Sequence, residues 1–426
     1  MPDGTATTHL YRPKLLTILD EGYGWGRFRA DALAGLTVAI VALPLSMAIA
    51  VASGVSPERG LYTSIIGGFV VSALGGSRFQ IGGPAGAFIV LVAATVAQFG
   101  ISGLIVTVLL SGAMLTLFGA LRLGSLIRHI PHAVTVGFTA GIAVTILASQ
   151  LRDIGGLRLA GTEPGPFFPK LAALLQALPS LNPAALGVGL GSAALIFALR
   201  WFRPAWPGML VAVIASALAA VLLHLPVETI GSRFGGLPHG MPLPQVPAIT
   251  PQLLWLLLPS ALSFTLLGGV ESLLSAKVAD SMTGRKHRSN MELVAQGLAN
   301  IASAMFGGIS VTGTIARTAT NIRAGAKSPI AGILHAAFLL LFLLVAAPLA
   351  SFVPLAALAG VLVVVCWNMA EKREFWRLLG HWREAAVLLA TFAFTLIKDL
   401  TYGIVMGCAL AALFALLRRA VSEEGE

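Results

Sequence analysis

The chain has 426 residues, of which 57% are hydrophobic and 11% are charged, and its formal net charge is +10. Because a water-soluble domain normally carries about 25% charged residues, this composition excludes an ordinary soluble protein and predicts one embedded in a bilayer. The positive charge falls mostly in short loops between apolar segments, where it matches an anionic lipid surface, so no nucleic-acid partner is expected.

Apolar segments of spanning length recur along the chain from residue 31 onward. At roughly 20 apolar residues per crossing, one set precedes a long Pro- and Gly-rich link and an equal set follows it. The predicted spans are 31–53, 59–76, 84–98, 101–121, 130–150, 184–201, 207–226, 252–280, 293–306, 314–326, 329–347, 354–369, 385–398 and 400–419. The sequence therefore predicts an all-α polytopic membrane protein with 14 transmembrane segments, seven in each half.

These spans define five predicted regions. Trp, Tyr and basic side chains mix before the first span, which is typical of a helix lying in the membrane interface. The regions are a cytosolic N-terminus with this interfacial helix (1–30), the first set of spans (31–226), an extracellular or periplasmic linker (227–250), the second set of spans (251–419) and a cytosolic tail (420–426).

The third and tenth spans are each preceded by a glycine-rich interruption, at Gly75–Gly86 and at Phe306–Thr314. Interrupted segments at matching positions of two halves are typical of inverted-repeat transporters, whose binding site lies at the breaks. An odd number of spans in each half makes the second half an inverted copy of the first. The alternative is that each break is an ordinary loop followed by a shortened helix.

The charge distribution predicts an orientation. When the third and tenth segments re-enter only to mid-membrane, most of the 28 lysines and arginines fall on the side of the N-terminus. The positive-inside rule then predicts a multi-pass protein of the inner (cell) membrane with cytoplasmic N- and C-termini.

Arg317 follows the second break. With a helix starting near Thr314, Arg317 lies in its first turn, where the helix macrodipole disfavours a cation. An anion in front of that turn would be held by the guanidinium and the unpaired amides together. The third segment aims its own start, Ala85–Phe88, at the same place from the opposite side. The alternatives are an ion pair between Arg317 and Glu271, or extension of Arg317 to the membrane interface.

Glu271 is the second ionisable residue placed deep in a predicted span. Burial favours the neutral form of a carboxylate, so Glu271 is the candidate proton-coupling group, and a structural, hydrogen-bonded glutamate is the alternative. His335 is interpreted as a hydrogen-bonded packing residue, with a proton relay as its alternative.

No enzymatic activity is expected. The sequence has no HExxH, GxSxG or Walker A motif, and Cys366 and Cys408 lie in apolar runs as packing residues. No metal site and no cofactor are therefore predicted.

Four stretches of the chain resemble the SulP, or sulfate permease, family of anion transporters. They are Asp31–Ala50, Gly60–Phe88, Val270–Gly308 and Ile309–Pro329, in the order in which the family has them. The resemblance implies two inverted repeats of seven segments, with short extended stretches before half-helices three and ten. It also implies a core domain, formed by segments one to four and eight to eleven, that moves against a gate domain in an elevator-like manner.

The same resemblance implies a substrate site between the two half-helices, backed by the first and eighth segments. Arg317 matches the family's basic residue at the start of helix ten, and Glu271 matches its acidic position in helix eight. The predicted proton-coupling residue is Glu271, and the predicted substrate-binding residues are Leu45, Ser46, Ile49, Ala85, Gly86, Ala87, Phe88, Thr314, Ile315, Ala316 and Arg317.

One departure from the family motif narrows the range of expected substrates. Many members carry glutamine and tyrosine in a P-Q-x-M-A-Y motif of the first helix, where this chain has Leu45 and Ile49. This less polar wall favours proton-coupled uptake of a carboxylate or dicarboxylate such as fumarate or succinate. The alternatives within the family are transport of sulfate, or of bicarbonate and chloride, by sodium coupling or exchange. The alternatives outside it are a nucleobase permease, a passive anion channel and a structural membrane protein.

Family members usually end in a cytosolic STAS domain, whereas this sequence stops soon after the last span, at Leu416–Glu426. Either the domain has been removed or this member lacks it, and without it a homodimer would be weaker. The expected partners are a small anionic substrate, a proton or sodium ion and the lipid bilayer.

Overall fold

A computed structural model gives the fold over residues 11–124, 131–161, 163–164, 167–204, 206–398 and 400–423. Residues 1–10 of the predicted N-terminal region and 424–426 of the predicted tail lie outside this description. The helices are α1 (Lys14–Asp20), α2 (Trp25–Ala52), α3 (Pro57–Tyr62), α4 (Gly68–Leu74), α5 (Ile89–Ala120), α6 (His132–Gly155), α7 (Phe167–Gln176), α8 (Pro183–Phe202), α9 (Gly208–Leu222), α10 (Ile230–Phe234), α11 (Pro251–Thr283), α12 (Ser289–Met305), α13 (Ile315–Arg323), α14 (Ile330–Val345), α15 (Ala347–Ala350), α16 (Leu355–Met369), α17 (Lys372–Leu379), α18 (Trp382–Ile397) and α19 (Leu400–Glu423).

Each predicted span overlaps at least one of these helices. Among the described residues, six helical stretches are long and apolar enough to cross a membrane, and three shorter helices are also apolar. The six are Trp25–Ala52, Gly86–Ala120, His132–Gly155, Pro183–Phe202, Pro251–Thr283 and Leu355–Leu379, and the shorter three are Gly208–Leu222, Ile330–Val345 and Tyr402–Leu416. The helical polytopic architecture is confirmed, and the number of fourteen crossings stays a prediction.

The N-terminal region differs from its predicted boundary. Helix α1 occupies part of the predicted interfacial stretch, but α2 starts at Trp25 and not at residue 31. The rings of Trp25 and Phe28 stack with centroids 5.2 Å apart. Residues three apart are neighbours on a helix, and this pair lies in the first turn of α2, ahead of the apolar run that the sequence marks.

Three stretches predicted as connections also contain helices. Helix α7 lies between the fifth and sixth predicted spans, α10 lies inside the link 227–250, and α17 precedes the thirteenth. Each is too short to cross a bilayer of about 30 Å at 1.5 Å per residue, so a search for spans misses it.

Gly100 separates the third and fourth predicted segments. Its φ of 68° and ψ of −174° interrupt α5 in a backbone region that side chains rarely adopt, and glycine permits this bend. The stretch 86–99 is therefore about 21 Å long at 1.5 Å per residue, shorter than the hydrocarbon core of a bilayer.

Candidate anion-binding site

Two short strands meet where the predicted breaks occur. Strand β1 (Gly82–Gly83) pairs antiparallel with β2 (Thr312–Gly313), with Gly82 opposite Gly313 and Gly83 opposite Thr312. The amide of Thr314 also donates to the carbonyl oxygen of Ile81 at 3.1 Å. The predicted extended stretches are thus confirmed. Their pairing places side by side the starts of two short helices, which are the stretch 86–99 and α13.

Close approach explains two of the glycines in these strands. A Cβ atom on Gly83 would lie 1.9 Å from Nη1 of Arg317, and one on Gly313 would lie 1.9 Å from Nε2 of Gln80. Neither space would admit a side chain, so both polar groups can pack directly against backbone.

Arg317 lies in the first turn of α13, whose first residue is Ile315. Its side chain is 1% exposed. Its Nη1 donates to Oγ of Ser64 at 3.1 Å, and its Nη2 donates to Oγ of Ser46 at 3.2 Å and to the carbonyl oxygen of Pro84 at 3.3 Å. The guanidinium is therefore fixed behind the two helix starts by three parts of the chain.

Ser64 lies where the helix is wider than an α-helix. Residues Thr63–Gly67 form a π-helical turn between α3 and α4, and such turns are frequent at functional sites. Ser64 and Ser46 also share a hydrogen bond of 2.8 Å. Two hydroxyls thus orient the guanidinium while leaving its charge uncompensated.

No anionic side chain neutralises Arg317 within the part of the chain that the structure describes. The proposed pair with Glu271 is absent from the ion pairs of that part, and the Nε atom of Arg317 has no hydrogen-bond partner. Because an uncompensated buried charge is costly, this arrangement favours an anion in front of the helix starts.

The start of the third segment faces an apolar wall. A short 3-10 turn at Gly86–Phe88 leads into α5. A Cβ atom on Gly86 would lie 3.9 Å from both Cδ1 of Ile146 and Sδ of Met369, and 4.0 Å from Cγ1 of Val365. These neighbours come from α6 and α16, which are the opposite wall of the site.

The other predicted site residues around the start of the third segment are buried in one apolar cluster. Ala85 and Ala87 are 5% and 2% exposed, and Phe88 packs its ring 5.5 Å from that of Phe264 in α11. Five of the predicted site residues belong to one apolar cluster: Leu45, Ile49, Ala85, Ala87 and Phe88.

The start of α13 is more open. Ile315 is 37% exposed, Ala316 is exposed and Thr314 is half-buried. The hydroxyl of Thr314 has no hydrogen-bond partner among the described residues. The first amides of a helix lack intrahelical partners, so this end offers accessible donors in front of Arg317.

Glu271 lies apart from Arg317, on a small cavity of about 20 Å³. The cavity is lined by α6, α11 and α19, including Phe138 and Ile404, and has room for about one water. Glu271 makes no hydrogen bond or ion pair within the described part of the chain. His335 is fully buried, and neither ring nitrogen has a partner there, so its expected hydrogen bond is not seen.

One face of α12 holds the loop that leads to β1. Oε2 of the buried Glu292 accepts from the amides of Gly76 and Ser77 at 2.8 and 3.0 Å. Its Oε1 accepts from Nε2 of Gln80 at 2.8 Å and from Nε2 of Gln296 at 3.1 Å. Three donors from the loop on one carboxylate fix this loop firmly, and the fourth donor, Gln296 of α12, orients the carboxylate.

The same face of α12 holds the loop that leads to β2. Asn300 donates to the carbonyl oxygen of Val311 at 2.8 Å and accepts from its amide at 2.9 Å. Ser303 donates to the carbonyl oxygen of Ile309, and the Ile309 amide donates to the hydroxyl of Thr63. Helix α12 thus positions both breaks.

Residues 28–391 match the family model described as the sulfate permease family. The chain belongs to the sulfate permease family. It is 44% identical over 400 residues to the putative sulfate transporter YvdB of Bacillus subtilis, covering 93% of this chain and 75% of that protein. It is 30% identical over 405 residues to the bicarbonate transporter BicA of Picosynechococcus, covering 92% of this chain and 70% of that protein.

Two solved structures have the same fold as this chain. The transmembrane domain of a cyanobacterial bicarbonate transporter BicA matches with a TM-score of 0.78 and 30% identity, over 89% of this chain and 98% of that one. SLC26A9 matches with a TM-score of 0.87, over 97% of this chain and 69% of that one. Because the two sequences are only 19% identical, this match shows the fold alone. The chain is therefore an anion transporter of the membrane and not an enzyme.

Sequence reasoning missed the polar residues of this sulfate permease that fix the breaks. Glu292, Gln296, Asn300 and Ser303 follow one another at intervals of four, four and three residues, which places them on one helix face. That spacing was a readable signal. The π-helical turn around Ser64 had none, because its residues also fit an ordinary helix.

Proposed function

We propose that this chain is a secondary active transporter of small oxyanions that binds its substrate between the starts of the two short helices. The observation that carries the proposal is Arg317, which is 1% exposed, held by two serines and a carbonyl, and without an anionic partner in the described residues. A mobile substrate anion supplies the missing charge.

A carboxylate is the preferred substrate class. Helix-start amides and the field of Arg317 suit the charged group, while Leu45, Ile49 and the wall opposite Gly86 suit an apolar carbon skeleton. A small dicarboxylate such as fumarate or succinate combines both features.

Sulfate and bicarbonate form the second candidate. Their support is the putative sulfate transporter with 44% identity and the bicarbonate transporter with 30% identity. Both anions would use the same helix starts and would make less use of the apolar wall.

Proton coupling through Glu271 is part of the proposal. Glu271 borders a cavity between α11 and two helices assigned to the gate, α6 and α19, and it makes no ion pair in the described residues. Such a carboxylate can take up and release a proton as these helices move. Sodium is the alternative coupling ion.

The core and gate division, the inverted repeats and the elevator-like movement complete the proposal. Segments one to four and eight to eleven form the core, and the remaining segments form the gate. The bias of Lys and Arg towards the loops on the N-terminal side supports cytoplasmic termini and a location in the inner membrane.

Flux in liposomes tests this function. The purified chain is reconstituted, an inward proton gradient is imposed, and labelled fumarate, sulfate and bicarbonate are followed separately together with internal pH. We expect saturable fumarate uptake accompanied by acidification. Faster saturable sulfate or bicarbonate flux would favour the second candidate, and movement of none of the three would overturn the proposal.

Glu271→Gln tests the coupling with Glu384→Gln as its control. Glu384 lies in the first turn of α18 and is exposed, so its loss leaves the coupling unchanged. Glu271→Gln is expected to transport the anion without acidification. Acidification that persists in this variant would remove Glu271 from the coupling step.

A further inference from the structure

A cavity of about 280 Å³ lies at the end of the molecule that carries α1. Its cationic lining is Arg78 from the loop before β1, Arg285 from the loop after α11 and Lys327 from the loop after α13. Phe79, Thr283 and Gly325 contribute to the remaining walls. Its size is close to the lower limit of small-molecule sites, about 300 Å³.

The positive charge around this cavity exceeds the negative charge. Arg78 is paired with Glu21 at the rim, yet its buried Nε has no hydrogen-bond partner in the described residues. The side chains of Arg285 and Lys327 are exposed and form no ion pair there. One carboxylate therefore faces three cations.

Two other carboxylates accept hydrogen bonds from the loops that carry these cations. Asp31 is fully buried and accepts from the amides of Lys327 and Ser328 and from the hydroxyl of Tyr23. Asp280 pairs with His287. Neither carboxylate lines the cavity.

This basic cavity is separate from the transport site. Its walls come from the ends of α11 and α13 and from loops that connect segments assigned to the core, whereas substrate would pass between the core and the gate. Its cations also flank both short helices, because Arg78 precedes β1 and Lys327 follows α13. An occupant would connect the two halves of the site from behind.

We propose that the basic cavity binds a phosphate group. A tetrahedral oxyanion with two negative charges matches three convergent cations, and the fork of an arginine fits two of its oxygens. The cavity lies at the end of the bundle where the predicted interfacial helix lies, so the group comes from a lipid headgroup or from a soluble phosphate. Its binding fixes the loops that carry the two short helices.

Thermal unfolding of the full chain in phosphatidylcholine nanodiscs tests the proposal. The probes are phosphatidic acid, as a membrane source of a phosphomonoester, and inorganic pyrophosphate, as a soluble source. The test variant is Arg285→Gln with Lys327→Gln. The control is Lys286→Gln with Arg323→Gln, which removes the same charge from neighbouring exposed residues outside the cavity.

We expect at least one probe to raise the unfolding temperature of the wild type and of the control. The half-saturating concentration should rise by about tenfold in the test variant, because it loses two charged contacts. A response to phosphatidic acid alone identifies the lipid as the source, and a response to pyrophosphate identifies a soluble one.

Two results would overturn the proposal: no response of the wild type to either probe, or an equal loss in the control and the test variant. Because these measurements contain no transported anion, neither result bears on the proposed transport function.

Discussion

The two short helices each follow a two-residue strand, but their starts differ in chemistry. At Gly86–Phe88 the neighbours are apolar and mostly buried, whereas at Ile315–Arg317 the start is open and a cation lies behind it. The pairing of β1 with β2 joins these unlike ends. The comparison teaches that one half supplies the charge preference and the other supplies the shape and apolar contacts.

The loops leading to these helices show a second contrast. Both are held by α12, but Glu292 uses a carboxylate that accepts from three donors of its loop, whereas Asn300 uses a neutral amide. Hydrogen bonds to charged groups contribute more than neutral ones. The first break is thus expected to be more rigidly fixed than the second.

Removing the charge behind α13 should have the largest effect. Arg317→Gln is expected to weaken anion binding by about 100-fold, since a charged contact contributes up to about 3 kcal/mol. Binding is measured by isothermal titration with fumarate and with sulfate. Arg323→Gln, at the exposed end of the same helix, is the control, and equal affinities of the two variants would contradict the role of Arg317.

Loss of the carboxylate that holds the first loop should reduce stability most. Glu292→Ala leaves the amides of Gly76 and Ser77 without their acceptor and is expected to cost about 3 kcal/mol. The measurement is the unfolding temperature in detergent. Retention of wild-type stability would show that this loop is held by other contacts.

The matching change at the second loop should have a smaller effect. Asn300→Ala removes neutral hydrogen bonds to Val311 and is expected to cost about 1–2 kcal/mol. The same thermal measurement compares it with Glu292→Ala. A larger loss from Asn300→Ala would reverse the proposed order of rigidity.

Adding one methyl group at the third segment tests the approach of the substrate. A Cβ on Gly86 meets no atom closer than 3.9 Å, so Gly86→Ala should fold normally. It is expected to raise the half-saturating anion concentration a few-fold by blocking the nearby amides. Gly187→Ala, which meets nothing within 4 Å in α8, is the control, and identical transport by both variants would place the substrate elsewhere.

Lys14 gives the smallest expected effect, and it depends on pH. Burial, followed by the charges of Arg288 and Arg78, lowers the pKa of Lys14 to about 8 from 10.5. The folded state therefore disfavours the protonated lysine, and this cost disappears as pH rises from about 8 towards 10.5. Solvent screening keeps it small, because the residue is half-buried.

Comparison of Lys14→Gln with the wild type measures this cost. At pH 7 the variant should unfold at a slightly higher temperature, and the difference should vanish near pH 10.5. Lys286→Gln, an exposed change in a nearby loop, is the control. A difference that does not change with pH would contradict the assignment to Lys14.

The sequence was sufficient to predict the two breaks and the position of Arg317, because glycine-rich interruptions and a cation after one of them are local features. It was insufficient to predict the contacts that hold the breaks and Arg317 in place. Glu292 lies one residue before the ninth predicted span and so resembled a loop charge. The hydrogen bonds from Arg317 to Ser46 and Ser64 join residues more than 250 positions apart, which no local pattern reveals.

Locating a bound anion tests the central claim most directly. Crystals soaked in iodide should show an anomalous peak within hydrogen-bonding distance of the amides at Gly86–Phe88 and Ile315–Arg317, and Arg317→Gln crystals should lack that peak. A peak at this position that persists in Arg317→Gln, or wild-type crystals with iodide bound only elsewhere, would contradict the claim.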